Sequence, residues 1–212
     1  MRFSSKVQKC QLSPVRKFNP CAEAAAAQGR MIYHLNIGQP DVKTPEAFYE
    51  AIRDFKAETL EYAPAPGLPA HIEAVQAYYA KLGVKLDKDD ILATSGGGEA
   101  LEFILACILD EGDELLVPEP YYANYNTFAY MEPHINAHTR GILISNPGNP
   151  TGVVLTREEM RLIADIVKEH DLFLVADEVY REFIYDDEPM GSFGELEDVK
   201  DRVILVDSVS KR

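Results

Sequence analysis

Short apolar segments alternate with helical ones through most of the chain, and this alternation limits the folds open to it. Leu172–Ala176 and Val203–Val206 contain only apolar residues, which is typical of strands covered by helices on both faces. Between strand-like segments, Thr156 and Glu159 form a Ser/Thr-x-x-Glu capping box, so we predict a helix from there to about His170. The alternation predicts an α/β fold with a largely parallel sheet.

The same hydrophobic spacing predicts the remaining elements. The expected helices cover Cys21–Gln28, Pro45–Ala57, Leu68–Leu82 and Glu99–Leu109, with a further helix starting near Tyr121. The expected strands cover Ile91–Thr94, Glu114–Val117 and Ile142–Ser145.

The charge balance argues against one class of partner. The chain has 21 Lys and Arg against 35 Asp and Glu, a formal net charge of −14, which a nucleic-acid duplex or an anionic membrane surface would repel. The three cysteines show no metal-ligand spacing and fit a reduced cytoplasmic interior. No signal-peptide core and no apolar stretch near the roughly 20 residues that cross a bilayer is found. We therefore expect a cytoplasmic protein that binds neither nucleic acid nor a membrane.

In parallel sheets, ligands bind beyond the carboxyl ends of the strands, so the residues that follow each strand are candidates for a site. Ser95-Gly96-Gly97-Gly98 follows the first expected strand at the start of a helix. Free glycine amides and the helix dipole attract an anion such as phosphate there. A flexible turn is the alternative for three glycines alone, and the usual nucleotide-binding patterns are absent.

Two further strand ends carry reactive side chains. Asp177 can hold a metal, pair with a cation or cap the next element, and the Walker B interpretation lacks its Walker A partner. Lys211 can react with a carbonyl if its surroundings lower its pKa. Ser208-x-x-Lys211 also matches a serine-acylase pattern, whose other two motifs are missing. His134 and His138 have the i, i+4 spacing of a metal-binding pair on a helix, but the neighbouring Pro133 and the loop-like sequence around them argue against a helix. We therefore expect no metal site.

A phosphate cradle, an acid, a lysine and the paired aromatics Tyr121-Tyr122 are the parts that a pyridoxal phosphate site requires. On these residues the sequence resembles the fold-type-I aminotransferases of class I and II, the group around aspartate aminotransferase. The matching stretches follow the family's order and are Asn36–Asp41, Tyr62–Gly67, Ser95–Leu101, Pro118–Tyr125, Asn146–Gly152, Asp177–Tyr180 and Ser208–Lys211. Asn-Pro-x-Asn-Pro-Thr-Gly with Asp-x-x-Tyr and Ser-x-x-Lys downstream is a highly specific combination.

The resemblance implies roles toward the ring of pyridoxal 5'-phosphate. Lys211 would form the Schiff base with the cofactor aldehyde and later carry the proton between substrate and cofactor. Asp177 would pair with the pyridine nitrogen and keep it protonated. Asn149 and Tyr180 would hydrogen-bond the ring's 3-oxygen, and Tyr122 would lie against the ring face.

The resemblance also implies how the cofactor phosphate is held. The amides of Gly97 and Gly98, with Glu99 close by, would bind it together with the hydroxyl of Ser208. Tyr62 is similar to the tyrosine that reaches the phosphate of the neighbouring subunit. The family pattern therefore implies a homodimer with shared sites.

The implied activity is transfer of an amino group between an amino acid and a 2-oxo acid. Gly38 would sit beside the substrate α-carboxylate, with Asn149 as a further contact. A lyase or decarboxylase on the same scaffold is an alternative, because such enzymes use the same cofactor chemistry. The identity of the donor amino acid does not follow, because selectivity in this family depends largely on segments that the sequence lacks.

The family pattern implies an N-terminal arm with part of a small domain at 1–40 and a three-layer, partial cofactor-binding large domain at 41–212. Two departures from that pattern stand out. The sequence stops next to Lys211, before two arginines that bind phosphate and substrate in the family. Only ten residues separate Tyr130 from Gly141, where the family usually has a strand and a helix. We therefore expect an incomplete sheet and compromised activity, with a non-catalytic fragment as the alternative.

Overall fold

The computed structural model describes residues 16–35, 38, 42–120, 135–185 and 190–211. Contacts group the chain into two units: Leu12–Ala63, and a larger unit whose described part begins at Pro64. The expected domain boundary between residues 40 and 41 stays a prediction. No helix in the described ranges is long and apolar enough to cross a membrane.

Two helices lie among the described residues of the smaller unit. Helix α1 covers Asn19–Ala27 after a 3₁₀ turn at Arg16–Phe18, and helix α2 covers Glu46–Asp54. Both helices were predicted, but α2 ends three residues early because Phe55 adopts an extended backbone. Neither helix buries a side chain among the described residues.

The described residues of the larger unit form a sheet of four parallel strands. Strands β1 (Glu114–Leu116), β2 (Thr139–Ser145), β3 (Phe173–Asp177) and β4 (Val203–Val206) pair in that order. The pairing is in parallel register throughout, with one irregularity next to Glu114. The α/β class and the parallel sheet predicted from the alternation are confirmed.

In the described part of the larger unit, three helices accompany the sheet: α3 (Pro69–Lys81), α4 (Gly97–Ile108) and α5 (Arg157–Glu169). One core cluster joins α4 to the strands and contains Leu101, Leu105, Leu115, Leu143, Val175 and Val206. The other joins α5 to the strands and contains Ile142, Met160, Val167, Leu172, Leu174, Ala176 and Phe193. Neighbouring residues of β2 and β3 alternate between the two clusters, so helices cover both faces of the sheet and the strands are apolar throughout.

Two predicted elements differ from the structure or fall outside it. The segment Ile91–Thr94 forms no strand; the amide of Ala93 donates to the carbonyl of Pro66 at 2.8 Å, in a loop. Its apolar spacing was strand-like, but a strand also needs a partner strand, which local spacing does not reveal. The expected start of a helix near Tyr121 and residues 131–134 of the segment between Tyr130 and Gly141 lie outside the described residues.

The predicted capping box of α5 is formed. The Thr156 hydroxyl accepts from the Glu159 amide at 3.2 Å, and the Glu159 carboxylate accepts from the Thr156 amide at 2.8 Å. The hydrogen bond that the carboxylate accepts from the Thr156 amide, and next the one it accepts from the Thr156 hydroxyl at 2.9 Å, lower the pKa of Glu159. The box stabilises the charged form of the Glu159 carboxylate. Its contribution to folding stability is therefore complete above the ordinary glutamate pKa, and it is lost as the pH falls through the lowered pKa of Glu159 in the folded chain.

We expect Thr156→Ala to destabilise the larger unit by about 1 kcal/mol at neutral pH, because it leaves helix amides without an acceptor. Thr156→Ser keeps the hydroxyl and is the matched control. The measurement is the urea midpoint of each variant at pH 7 and at pH 3. A Thr156→Ala deficit equal at both pH values would show that the hydrogen bond from the Thr156 hydroxyl to the Glu159 carboxylate contributes nothing.

Candidate functional site

The carboxyl ends of three neighbouring strands form one edge of the sheet. The Asn146 amide, after β2, donates to the carbonyl of Asp177 at 2.9 Å, and the Glu178 amide, after β3, donates to the carbonyl of Val206 at 2.9 Å. The hydrogen bonding between neighbouring strands thus continues one residue beyond the ends of β2 and β3. The loop after β2, the turn after β3 and the segment after β4 therefore leave the sheet side by side.

Three of the predicted site residues meet at this edge. The Asn149 side-chain amide donates to the Tyr180 hydroxyl at 3.4 Å. The Lys211 ammonium, in a 3₁₀ turn over Val209–Lys211, lies 5.3 Å from the centroid of the Tyr180 ring. A lysine cation at this distance is attracted to the face of an aromatic ring. Tyr180 therefore links the loop after β2 to the turn after β4.

Asp177 provides the acidic group at the centre of the edge. Its backbone pairs with Ser145 on one side and Val206 on the other, and the residue is only 7% exposed. One carboxylate oxygen accepts from the Val179 amide at 3.3 Å. A carboxylate so far removed from water is best stabilised by a positive charge nearby. A rigid, nearly buried carboxylate suits the pairing with a protonated ring nitrogen that the resemblance implies.

The N-terminus of α4 lies against the same edge. A Cβ atom at Gly97 would stand 3.7 Å from Val206 and 3.8 Å from Val179, so the first turn of the helix packs on the ends of β4 and β3. A Cβ at Gly98 would meet nothing within 4 Å. The amide end of this twelve-residue helix is therefore open to a ligand, and its dipole favours an anion.

Two other residues predicted to hold a phosphate make local hydrogen bonds. The Glu99 carboxylate accepts from the Ser95 amide at 2.7 Å, just ahead of α4. The Ser208 hydroxyl donates to the Ser210 hydroxyl at 2.9 Å and accepts from the Ser210 amide at 3.3 Å. The Glu99 side chain thus satisfies one backbone donor at this helix end, and the Ser208 hydroxyl stays inside the turn that carries Lys211.

Asn146 shapes the loop that carries Asn149, a role that sequence reasoning did not assign. It is fully buried, and its side-chain oxygen accepts from the Leu155 amide at 2.9 Å, which closes the loop. A cavity of about 150 Å³ opens between this loop and the end of β1, with Asn149 and Glu119 in its lining. The only available signal was its position as the first residue of the Asn-Pro-x-Asn-Pro-Thr-Gly motif.

Three predicted site residues are not brought to this edge by the described structure. Gly38 and Tyr62 belong to the smaller unit, where both are exposed. Tyr122 lies outside the described residues. The roles implied for these three residues stay predictions.

The residues at the edge fit pyridoxal phosphate. The open amide end of α4 suits a phosphate, Asp177 suits a protonated ring nitrogen, and the Asn149–Tyr180 pair suits a ring oxygen. Lys211 lies next to that pair with a primary amine that can react with an aldehyde. This donor set provides a separate partner for each polar group of the cofactor.

Comparisons with known proteins support the same assignment. The chain is 30% identical to a probable aspartate/prephenate aminotransferase of Aquifex aeolicus and to aromatic-amino-acid aminotransferase 2 of Thermococcus litoralis, with 99% and 100% of the chain aligned. Its fold matches a tetra mutant of Thermus thermophilus aspartate aminotransferase complexed with tryptophan at a TM-score of 0.92, with 28% identity over the whole chain. The chain spans about 60% of the length of these proteins.

The match to the family is interrupted at one place. The family sequence model described as aminotransferase class I and II matches residues 30–133 and 126–212, two segments that overlap at 126–133, where the expected gap before Gly141 begins. The alignments with the Aquifex and Thermococcus proteins extend over 235 and 241 positions, whereas this chain has 212 residues. Each relative thus carries more than 20 positions without a counterpart here. The two matched segments cover most of the sequence, and the chain belongs to the class I and II aminotransferase family.

Proposed function

We propose that this chain forms the cofactor-binding part of a pyridoxal-phosphate-dependent aminotransferase, which transfers an amino group between an amino acid and a 2-oxo acid. The observation that carries the proposal is the meeting of Asn149, Tyr180 and Lys211 beside Asp177 at the carboxyl edge of the sheet. The dependence of this family on pyridoxal phosphate supports it.

Each residue at the edge has a task that its chemistry allows. The bound cofactor supplies an electron sink for the substrate carbanion. Asp177 holds a negative charge at a fixed position in the sheet, and the Asn149–Tyr180 pair offers hydrogen bonds to a ring oxygen. The amine of Lys211 is a group that can accept a proton and return it, and the short turn places it next to Tyr180. The open end of α4 anchors the phosphate and so fixes the cofactor's orientation.

The choice of substrates rests on the names of the similar proteins, and the proposed dimer rests in part on the exposure of Tyr62. We take aspartate as the donor to test first and aromatic amino acids second, because the similar proteins are named for these substrates. The working form is a cytoplasmic homodimer that binds neither nucleic acid nor a membrane. The full exposure of the Tyr62 side chain leaves it available to reach a neighbouring subunit.

The test mixes the purified chain with pyridoxal phosphate and follows the cofactor absorbance, with Lys211→Ala as the decisive variant. Lys200→Ala, which changes an exposed lysine, is the matched control. We expect an absorbance change in the wild type and in Lys200→Ala that Lys211→Ala abolishes. Added aspartate and a 2-oxo acid are then expected to give the exchanged pair of products.

Three results would contradict the proposal in distinguishable ways. An absorbance change that survives in Lys211→Ala, or none in the wild type, would rule out a working cofactor site. Pyruvate and ammonia in place of the exchanged products would identify a lyase. A lysine-dependent change without any product would identify a binding module without turnover.

A further inference from the structure

A buried tyrosine connects α3 to the segment that carries Lys211. Tyr79 is 4% exposed, and its hydroxyl donates to one carboxylate oxygen of Asp207 at 3.1 Å. The two residues are 128 positions apart in the chain. This hydrogen bond therefore joins a helix near the start of the larger unit to the residue directly after β4.

The other oxygen of the same carboxylate serves the turn itself. It accepts from the amide of Ser208 at 2.7 Å. Ser208 in turn bonds Ser210, and Lys211 closes the 3₁₀ turn. Asp207 thus holds the residue just ahead of the turn, and Tyr79 holds Asp207 in place.

The tyrosine is fixed from its ring face as well. The Arg181 guanidinium lies 4.9 Å from the centroid of the Tyr79 ring and is paired with the buried carboxylate of Glu178. Burial, and next the negative charge of Asp207, raise the pKa of Tyr79 to about 12. The hydroxyl therefore remains a donor throughout the physiological pH range.

We infer that Tyr79 and Asp207 are positioning residues that set the place of the Lys211 turn relative to the cofactor site. Imine chemistry requires the amine to be held within about half an ångström of its productive position. The hydrogen bond from Tyr79 ties the segment that leads into this turn to α3 and so contributes to that order. The role of this hydrogen bond in the cofactor site rests on the proposed function. The effect of Tyr79 on the order of the turn does not, and it can be measured without the cofactor.

The test removes one hydroxyl from α3. Tyr79→Phe deletes the donor to Asp207, and Tyr78→Phe makes the same change at the neighbouring position, whose hydroxyl contacts Glu182. Hydrogen–deuterium exchange followed by mass spectrometry reports the protection of the peptide that contains Ser208–Lys211. We expect about tenfold faster exchange of that peptide in Tyr79→Phe and no change in Tyr78→Phe.

The acceptor is tested with a conservative pair. Asp207→Asn keeps an oxygen for the Ser208 amide, and its NH2 group can donate to the Tyr79 hydroxyl oxygen, so this variant is expected to retain protection of the turn. Asp207→Ala removes both partners and is expected to lose that protection. In the presence of pyridoxal phosphate, Tyr79→Phe and Asp207→Ala are expected to bind it about tenfold more weakly than Asp207→Asn. Wild-type exchange of the turn in Tyr79→Phe would overturn the inference, as would faster exchange spread evenly over the whole chain.

The two proposals fail separately. If the wild type shows no lysine-dependent absorbance, the proposed function fails, and the exchange measurement still decides the anchoring. If the wild type shows that absorbance and Tyr79→Phe matches it in both exchange and cofactor binding, the anchoring is wrong and the function stands.

Discussion

Replacing Glu178 with alanine is expected to destabilise the larger unit by about 3–5 kcal/mol. Glu178 is completely buried, and its carboxylate pairs with the Arg181 guanidinium. It also accepts from the Ser192 hydroxyl at 2.9 Å and from the Phe193 amide at 3.0 Å. Alanine leaves a buried cation and two buried donors without their acceptor, which costs far more than the pair itself contributes.

A surface pair of the same spacing provides the control. Glu197 and Lys200 are also three residues apart, but both side chains are more than 60% exposed and stand 3.9 Å apart. We expect Glu197→Ala to change stability by less than about 1 kcal/mol. Urea unfolding followed by circular dichroism compares the two variants. Domains are stable by only about 5–15 kcal/mol, so a loss of the expected size would shift the urea midpoint clearly. Equal urea midpoints for Glu178→Ala and Glu197→Ala would show that the buried carboxylate is dispensable.

Replacing Asp177 with asparagine is expected to lower the turnover of the proposed reaction by about 10²–10³-fold, the usual cost of removing one preorganised electrostatic partner. In the wild type, the Asp177 carboxylate accepts from the Val179 amide at 3.3 Å. Asparagine keeps an oxygen for this amide but removes the negative charge. In the proposed site, that charge would keep the ring nitrogen of the cofactor protonated. The measurement is the steady-state rate with saturating cofactor.

Stability separates this effect from a folding defect. Asp177 is only 7% exposed, so a neutral side chain of the same shape costs less to bury in the cofactor-free chain. We expect the thermal midpoint of Asp177→Asn without cofactor to equal or exceed that of the wild type. A fall in both midpoint and rate would assign the residue a structural role instead.

Local signals predicted the helices best. Thr156 and Glu159 predicted the start of a helix, and the structure places Arg157–Glu169 directly behind that box because all of its hydrogen bonds lie within four residues. The order of the strand ends was predictable for a similar reason, since parallel strands carry their carboxyl ends at one edge. The grouping of Asn149, Tyr180 and Lys211 follows from that rule together with the family motifs.

Features that depend on distant partners were not predictable from spacing. The segment Ile91–Thr94 has strand-like spacing, but the amide of Ala93 bonds a loop carbonyl instead of a strand. Tyr79 reads as an ordinary apolar position of α3, and only the fold brings its hydroxyl to Asp207. Asn146 likewise gains its role from Leu155, nine residues later, once the loop has closed.

The hydrogen bond between Tyr79 and Asp207 also bears on how the site comes into being during folding. Its two ends are 128 residues apart, so forming it closes a long loop whose entropic cost must be met before the contact contributes. The Lys211 turn therefore gains this support only once α3 and the end of β4 have come together. Cofactor binding then reports on complete folding, and a bound cofactor stabilises the finished state by mass action.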